Sequence, residues 1–312
     1  MTIQQLRYFV AIVKAGSINK AADNLYISQP SLSAALREIE REVGCTLFTR
    51  TARGMALTPD GQSFLGYAHQ VIEQMELLEA RWLEDRPTRQ QCAISTQHYA
   101  FVVNAFVNMV KATKTEEYAY TLREARTYEL VEDVQELRSE LGVLYLNSYN
   151  REVITRLLRE RGLVFHPLFI AKPHIFIGKD NPLAQRESVT LADLEDYPRL
   201  SYEQGKENSF YFSEEILSTE FVKKDIYVGD RATIFNLMIG LNGYTIATGL
   251  VSADLNGDNI VAVPLEVEDE IEVGWIVRKD ITMSRLAKRF VEELKNVVRG
   301  YGVEVLPDEV IG

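Results

Sequence analysis

The sequence predicts an α/β protein in three parts: a small helical head with a two-stranded wing, a long amphipathic helix, and a body of alternating strands and helices. Three observations predict it. Residues 1–60 read as three short helices followed by a basic hairpin. Residues 59–85 carry an apolar stripe at heptad spacing. Beyond Cys92, short apolar runs alternate with amphipathic windows, the pattern of mainly parallel sheets covered by helices.

The head comes first. Residues 2–15 predict a helix with Leu6, Phe9, Val10 and Val13 on one face, stopped at Gly16. Ser17 suits the N-cap of a second helix, and its small Ala21 and Ala22 let the two helices approach closely, as a helix-turn-helix needs. Tyr26 and Ile27 form the turn. Ser28 caps a third helix with Pro30 in its first turn, where a missing N–H costs little. That helix turns Leu32, Leu36, Ile39 and Val43 inward. Its other face shows Ser28, Gln29, Pro30, Ser31, Ser33, Ala34 and Arg37, short polar groups and one cation suited to a major groove, though equally to an ordinary solvated face. Residues 46–50 and 55–58 then predict a two-stranded wing. Arg50 and Arg53 lie at its tip, placed for phosphate or minor-groove contact.

Thr58-Pro59-Asp60 is a helix start: a cap, a first-turn proline and an acid near the positive dipole end. The helix is expected to run to Asp85, about 42 Å at 1.5 Å per residue. Phe64, Ala68, Val71, Met75, Leu78 and Trp82 step by four and three, a seam for pairing two copies. Residues 86–91 are polar and proline-bearing, a hinge.

In the body, strands are expected at 92–96, 118–123, 142–146, 163–168, 174–178, 200–202, 225–228, 243–248 and 271–277. Helices are expected around Val102 to Val110, over 128–137 and 154–161, after the cap Asp230, and over 285–298.

Composition fits these parts. The 312 residues are 46% hydrophobic and 25% charged, ordinary for a globular chain, with a net charge of −11. Residues 1–60 carry seven Lys and Arg against five Asp and Glu, so a mildly basic head sits on an acidic body. That balance permits phosphate contact at one end only. No apolar run is long enough to span a bilayer, and residues 1–16 lack a signal peptide's layout, so a cytoplasmic location is expected. Cys45 and Cys92 are expected as small buried hydrophobes, with a redox switch as the alternative. The four histidines show no ligand spacing, so neither metal nor cofactor is expected.

Residues 1–66 resemble the winged helix-turn-helix of LysR-type transcriptional regulators. The resemblance is carried by Leu6-Arg7-Tyr8-Phe9, Ala21-Ala22-Asp23-Asn24-Leu25, Ser28-Gln29-Pro30-Ser31-Leu32-Ser33, Leu47-Phe48-Thr49-Arg50 and Leu57-Thr58. It implies that Gln29, Pro30, Ser33 and Ala34 meet the groove, with Arg50 and Arg53 in the wing. Ala34 departs from the longer polar residue common in relatives; it can touch a thymine methyl but cannot donate a hydrogen bond. The resemblance continues more loosely through Asn181-Pro182-Leu183-Ala184 and Gly243-Tyr244-Thr245-Ile246, while Gly142 stands where relatives often carry an aspartate.

The implied organisation is a DNA-binding domain at 1–58, a dimerisation helix at 59–86 and a periplasmic-binding-protein-like effector domain at 87–312. Its two Rossmann-like subdomains would span 92–165 with 267–312, and 166–266. A small-molecule effector would bind between them, at strand carboxyl ends and helix amino ends that suit carboxylates. By position, Ser95, Thr96, Gln97, His98, Thr127, Ser201, Tyr202 and Thr248 line that cleft, although each could equally serve a local cap. His98, Tyr99 and Tyr202 point to a small polar or aromatic acid. The expected partners are double-stranded promoter DNA, a second copy of the chain, a tetramer built from two dimers, and the effector; no membrane is expected. The alternatives are an architectural DNA-binding protein without a ligand and, more remotely, an α/β enzyme. Against the latter, GxGxxG, P-loop, GxSxG and HExxH signatures are absent.

Overall fold

The computed structural model describes residues 1–51, 54–82, 90–115, 117–207, 209–252, 257–308 and 310–311. The chain divides into two compact units, Met1–Thr88 and Arg89–Gly312. Among the described residues no helix is long and apolar enough to cross a membrane.

In the first unit, α1 (Ile3–Ala15) opens with a capping box between Thr2 and Gln5 and closes at Gly16 in the left-handed conformation. α2 (Ile18–Asn24) follows Ser17, whose side chain makes no capping hydrogen bond despite its position. α3 (Gln29–Val43) ends at Gly44. The wing is β1 (Phe48–Thr51) against β2 (Gly54–Leu57), antiparallel, with Phe48 opposite Leu57. α4 (Pro59–Trp82) leads away from it. Its expected end at Asp85 and the hinge residues 86–89 lie outside the described residues. One core joins the helices: Phe9, Ile12, Leu32 and Ile39 are fully enclosed with Leu47. Phe9 sits between the rings of Phe48 (5.1 Å) and Phe64 (4.9 Å, edge-on).

The second unit holds two five-stranded sheets. The first, in the order β4-β3-β5-β12-β6, is built from β3 (Gln90–Thr96), β4 (Tyr118–Glu124), β5 (Leu141–Leu146), β6 (Leu163–Ala171) and β12 (Ile271–Arg278). The second, in the order β11-β7-β10-β8-β9, is built from β7 (His174–Gly178), β8 (Arg199–Tyr202), β9 (Asp225–Val228), β10 (Tyr244–Ala247) and β11 (Ile260–Pro264). The helices α5 (Ala100–Ala112), α6 (Thr127–Gln135), α7 (Arg151–Glu160) and α9 (Arg285–Gly300) belong to the first subdomain, and α8 (Arg231–Leu241) to the second. The neighbours β4, β3 and β5 run parallel, as do β9, β8 and β10.

Two crossings join the subdomains. The first corrects the expected boundary at 165/166. β6 pairs with β12 through to Ala171, so the chain leaves the first sheet only at Lys172 and Pro173. A bulge opposite Gly274 absorbs the irregularity at Pro167, and a Cβ on Gly274 would lie 2.3 Å from the His166 carbonyl oxygen. The return runs between Pro264 and Ile271. Gly142 has a packing role: a Cβ there would come within 2.6 Å of Leu130 on α6.

Candidate functional site

The exposed face of α3 is built from the inside out. Leu32, Leu36 and Ile39 bind the helix to the head, which leaves the remaining positions outward. Ser28 starts the helix by accepting the Ser31 amide (3.3 Å). Ser28, Gln29, Pro30, Ser31, Ala34 and Arg37 are exposed, and Ser33 is half-buried. Among the described residues their side-chain hydrogen bonds are to one another: Gln29 Nε2 donates to Ser33 Oγ (2.6 Å), and the Ser28 and Ser31 hydroxyls lie 2.7 Å apart. Arg37 has no ion-pair partner among the described residues. Just before this helix Tyr26 holds a positive φ of 54° and is 96% exposed. Sequence reading placed it only as a turn residue.

The wing is fixed to α1 by one close approach. Met55 donates its amide to the Gly16 carbonyl (2.9 Å), and a Cβ on Gly54 would lie 2.4 Å from that same oxygen. Glu40 ties α3 to the wing by accepting the Leu47 amide (2.7 Å). Arg53 and the side chain of Arg50 lie outside the described residues.

The seam on α4 needs a correction. Ala68 is 2% exposed, enclosed in its own head, and Phe64 packs edge-on against Phe9. The head core needs a lid, and the N-terminal half of α4, through Phe64, Ala68 and Ile72, supplies it. Val71 and Leu78 remain outward at 43% and 52% exposure, with Met75 half-buried between them. The Trp82 side chain lies outside the described residues. Arg7 holds the helix against α1 through Glu79 (2.9 Å).

In the body, strand carboxyl ends and helix amino ends converge between the sheets, as expected for a ligand cleft. His98, Tyr202 and Thr248 line a cavity there together with Phe101, Phe176, Glu214, Glu215, Arg231, Phe235 and Thr245. Its volume is about 40 Å³. The other expected residues do not line it, because each is used elsewhere. Ser95 Oγ donates to Asp133 (2.7 Å) and lies 2.8 Å from the Ser139 hydroxyl, inside a buried network. Thr96 bonds the Gln97 carbonyl (2.8 Å). Gln97 donates to Thr127 Oγ1 (2.6 Å) and accepts from the Tyr99 hydroxyl and the Tyr145 amide. Thr127 donates to the Phe212 carbonyl (2.7 Å). Ser201 is buried within β8.

The electrostatics of the cavity centre on residues that sequence reading missed. The Glu214 carboxylate accepts the His98 amide (3.0 Å) and lies 2.9 Å from His98 Nδ1; the two side chains are 3% and 6% exposed. The His98 ring stacks on Tyr202 at 4.0 Å. Burial pulls the imidazole pKa down, but the hydrogen bond and charge of Glu214, helped by Glu124, carry it above its ordinary value. Burial, then the Glu214 charge, push the neighbouring Glu215 well above the carboxylate range. Arg231, the first residue of α8, pairs with Glu124 at the end of β4 (3.0 Å) and so bridges the subdomains. Asp133 behaves oppositely: burial would raise it, but hydrogen bonds from Arg138, Ser95 and Arg123 hold it low. Nothing local in the run Ser213-Glu214-Glu215 distinguishes it from a solvated acidic turn; Arg231 was visible beside the Asp230 cap.

Cys92 is buried, and burial together with the charge of Glu140 pushes its thiol up to about 12. Among the described residues no group of three or more His, Cys, Asp or Glu is arranged to hold a metal ion.

Comparison with known proteins gives a consistent result. Residues 3–62 match the model of the bacterial regulatory helix-turn-helix proteins, lysR family, and residues 117–299 match the LysR substrate binding domain. The HTH-type transcriptional regulator YnfL of Escherichia coli (strain K12) is 26% identical over 312 residues, covering 95% of this chain and 99% of its own. The hydrogen peroxide-inducible genes activator of Escherichia coli O157:H7 is 24% identical over 320 residues, covering 99% and 100%. Among solved structures, a full-length variant of BenM aligns over 99% of both chains with a TM-score of 0.51 at 21% identity, a likeness of fold.

Proposed function

The chain belongs to the LysR family of bacterial helix-turn-helix regulators, and on that premise we propose how its parts divide the work of a DNA-binding transcriptional regulator. Residues 1–58 read DNA, 59–86 pair two copies, and 87–312 bind a small effector. α3 enters the major groove with Gln29, Pro30, Ser33 and Ala34 toward base edges, while Arg37 and the wing arginines Arg50 and Arg53 meet phosphates. The observation that carries this reading is the α3 face: among the described residues its polar side chains bond to each other and Arg37 has no ion-pair partner, on a helix whose other side is sealed into a core.

Pairing runs through Val71, Met75 and Leu78, the part of the seam that the head does not use. Two dimers then form a tetramer. The signal is a small carboxylic acid in the cleft at His98, Tyr202 and Thr248. A peroxide response, named for one relative, is disfavoured at Cys92, whose thiol is buried and pushed up to about 12, whereas Cys45, expected to be buried, is half-exposed.

Footprinting of the upstream promoter region with the full chain tests the reading, with and without a panel of small carboxylic acids. Protection of two half-sites on one DNA face is expected, shifting with one of the acids. Absence of protection at low ionic strength would refute the DNA assignment. An acid-responsive footprint that survives Thr248→Trp would refute the cleft.

A further inference from the structure

The cleft is filled by the chain itself. After β8, residues 210–217 leave the second sheet and lie against the first subdomain. Phe212 is 9% exposed, sits in the apolar cluster of Leu130 and Ile154, and meets the Tyr128 ring edge-on at 5.5 Å. The Phe212 carbonyl accepts the Thr127 hydroxyl (2.7 Å), and the Ser213 carbonyl accepts the Tyr145 hydroxyl (3.0 Å). The Glu214 carboxylate takes both the amide and the ring nitrogen of His98. The segment then returns: Glu215 accepts the Tyr202 amide (3.0 Å), and Arg199 donates to the Leu217 carbonyl (3.2 Å). The first-subdomain donors at Thr127, Tyr145 and His98 are therefore taken by this segment.

We propose that residues 210–217 are a built-in occupant of the cleft, with the Glu214 carboxylate standing where a small carboxylate ligand binds, so that an acid acts by exchanging with Glu214 at His98. This rests on the reading of the cleft as the ligand site. Three features favour exchange. The donors around Glu214 are those a free carboxylate uses, an imidazole and a main-chain N–H, with Arg231 in the same cavity wall. The free volume left beside Glu214 is small, about 40 Å³. The swap is nearly neutral in hydrogen bonds and charge, since one carboxylate leaves these donors as another arrives. The exchange couples directly to movement, because Glu214 belongs to the second subdomain and His98 to the first. Withdrawing Glu214 removes a tie between them.

The test is chemical complementation on the full chain, with sodium acetate as the probe against sodium chloride at matched ionic strength. Calorimetric titration and thermal melting would compare wild type, Glu214→Ala and the double variant His98→Asn/Glu214→Ala. Glu214→Ala is expected to melt below wild type, to bind acetate at least tenfold more tightly than wild type does, and to recover most of the lost melting temperature in acetate. The double variant is expected to recover none. If Glu214→Ala does not fold, Glu214→Ser carries the same comparison, because it too removes the carboxylate and opens its place at His98. Equal acetate binding by wild type and the Glu214 variant overturns the proposal. So does recovery that persists without His98, or stabilisation of wild type by ethylammonium in place of acetate. Failure of the cleft reading shows differently. A wild-type footprint indifferent to every acid, alongside acetate binding by Glu214→Ala, leaves the occupant in place and removes the effector. An acid-responsive footprint lost in Thr248→Trp, without acetate binding by Glu214→Ala, keeps the cleft and overturns the occupant.

Discussion

The head and the cleft satisfy their polar groups in opposite ways. On α3, Gln29 bonds Ser33 and Ser28 bonds Ser31, short surface contacts that water or a base edge can replace at little cost. At the strand and helix ends around the cleft, Ser95, Gln97, Thr127 and Tyr145 are each committed to another part of the body rather than to the cavity. A face that reads DNA meets a partner of fixed shape, so it can stand rigid and ready. A cleft that reports a ligand needs two states of similar free energy, so its closed state must make its own bonds and the ligand must compete with them. Rigid readiness belongs to the unit ending at Thr88 and self-satisfaction to the unit beginning at Arg89.

The strongest way to break this contrast is to empty one core and watch the other unit. Phe9 is fully enclosed between Phe48 and Phe64. Phe9→Ala is expected to destabilise the head by about 3–5 kcal/mol and to abolish DNA binding. A calorimetric scan should show the body's transition unmoved. If both transitions fall together, the units are not separable and the contrast fails. Next is the readout itself. Arg37→Ala is expected to weaken promoter binding by about 1–3 kcal/mol, with a shallower salt dependence if its partner is a phosphate. Fluorescence anisotropy at several salt concentrations measures both. An unchanged affinity would place α3 outside the groove.

Ser95→Ala sharpens the other side. Its hydroxyl serves Asp133, which Arg123 and Arg138 also hold. The substitution is expected to cost about 1–2 kcal/mol of stability without changing ligand response. Lost acid response at unchanged stability would return Ser95 to the cleft wall and contradict the network.

The same contrast explains what the sequence revealed. The head was legible because its signals are local: the cap at Ser28, the stop at Gly16, and the four-three spacing of Leu32, Leu36 and Ile39 all act within one or two turns. The strand–helix alternation of the body was legible for the same reason. The fate of Ala68 was not, since heptad spacing is identical whether a residue faces a second copy or its own head core. Ser95, Thr96, Gln97 and Thr127 sat at the expected strand and helix ends, but their hydroxyls and amide turned to partners 30 or more positions away or to the adjacent carbonyl. Glu214 was invisible because its partner His98 lies 116 positions earlier. Only the assembled sheets bring the two together.

The smallest expected effect is a pH dependence confined to the cleft. Despite the opposing pull of burial, Glu214 and Glu124 raise His98 above its ordinary value, with Arg231 working against them. The folded body therefore holds this proton more tightly than the unfolded chain does. The resulting stability is complete below the unfolded imidazole value of about 6.5 and disappears as the pH rises through the folded value. Glu215 acts in the same direction but from a lower starting point: burial favours its neutral form, so its contribution declines above the ordinary carboxyl range. Asp133 has the reverse sign, and its contribution is lost only as the medium becomes acidic enough to protonate it. Between pH 6 and 8 the melting temperature of the body should thus fall with rising pH while that of the head stays level. His98→Asn removes the imidazole and leaves Glu215 in place, so it should flatten the slope near neutrality and leave the remainder. A slope that persists unchanged in His98→Asn would assign the titration to Glu215 alone, and the His98–Glu214 contact would then be a neutral hydrogen bond rather than the ion pair that an incoming carboxylate must displace.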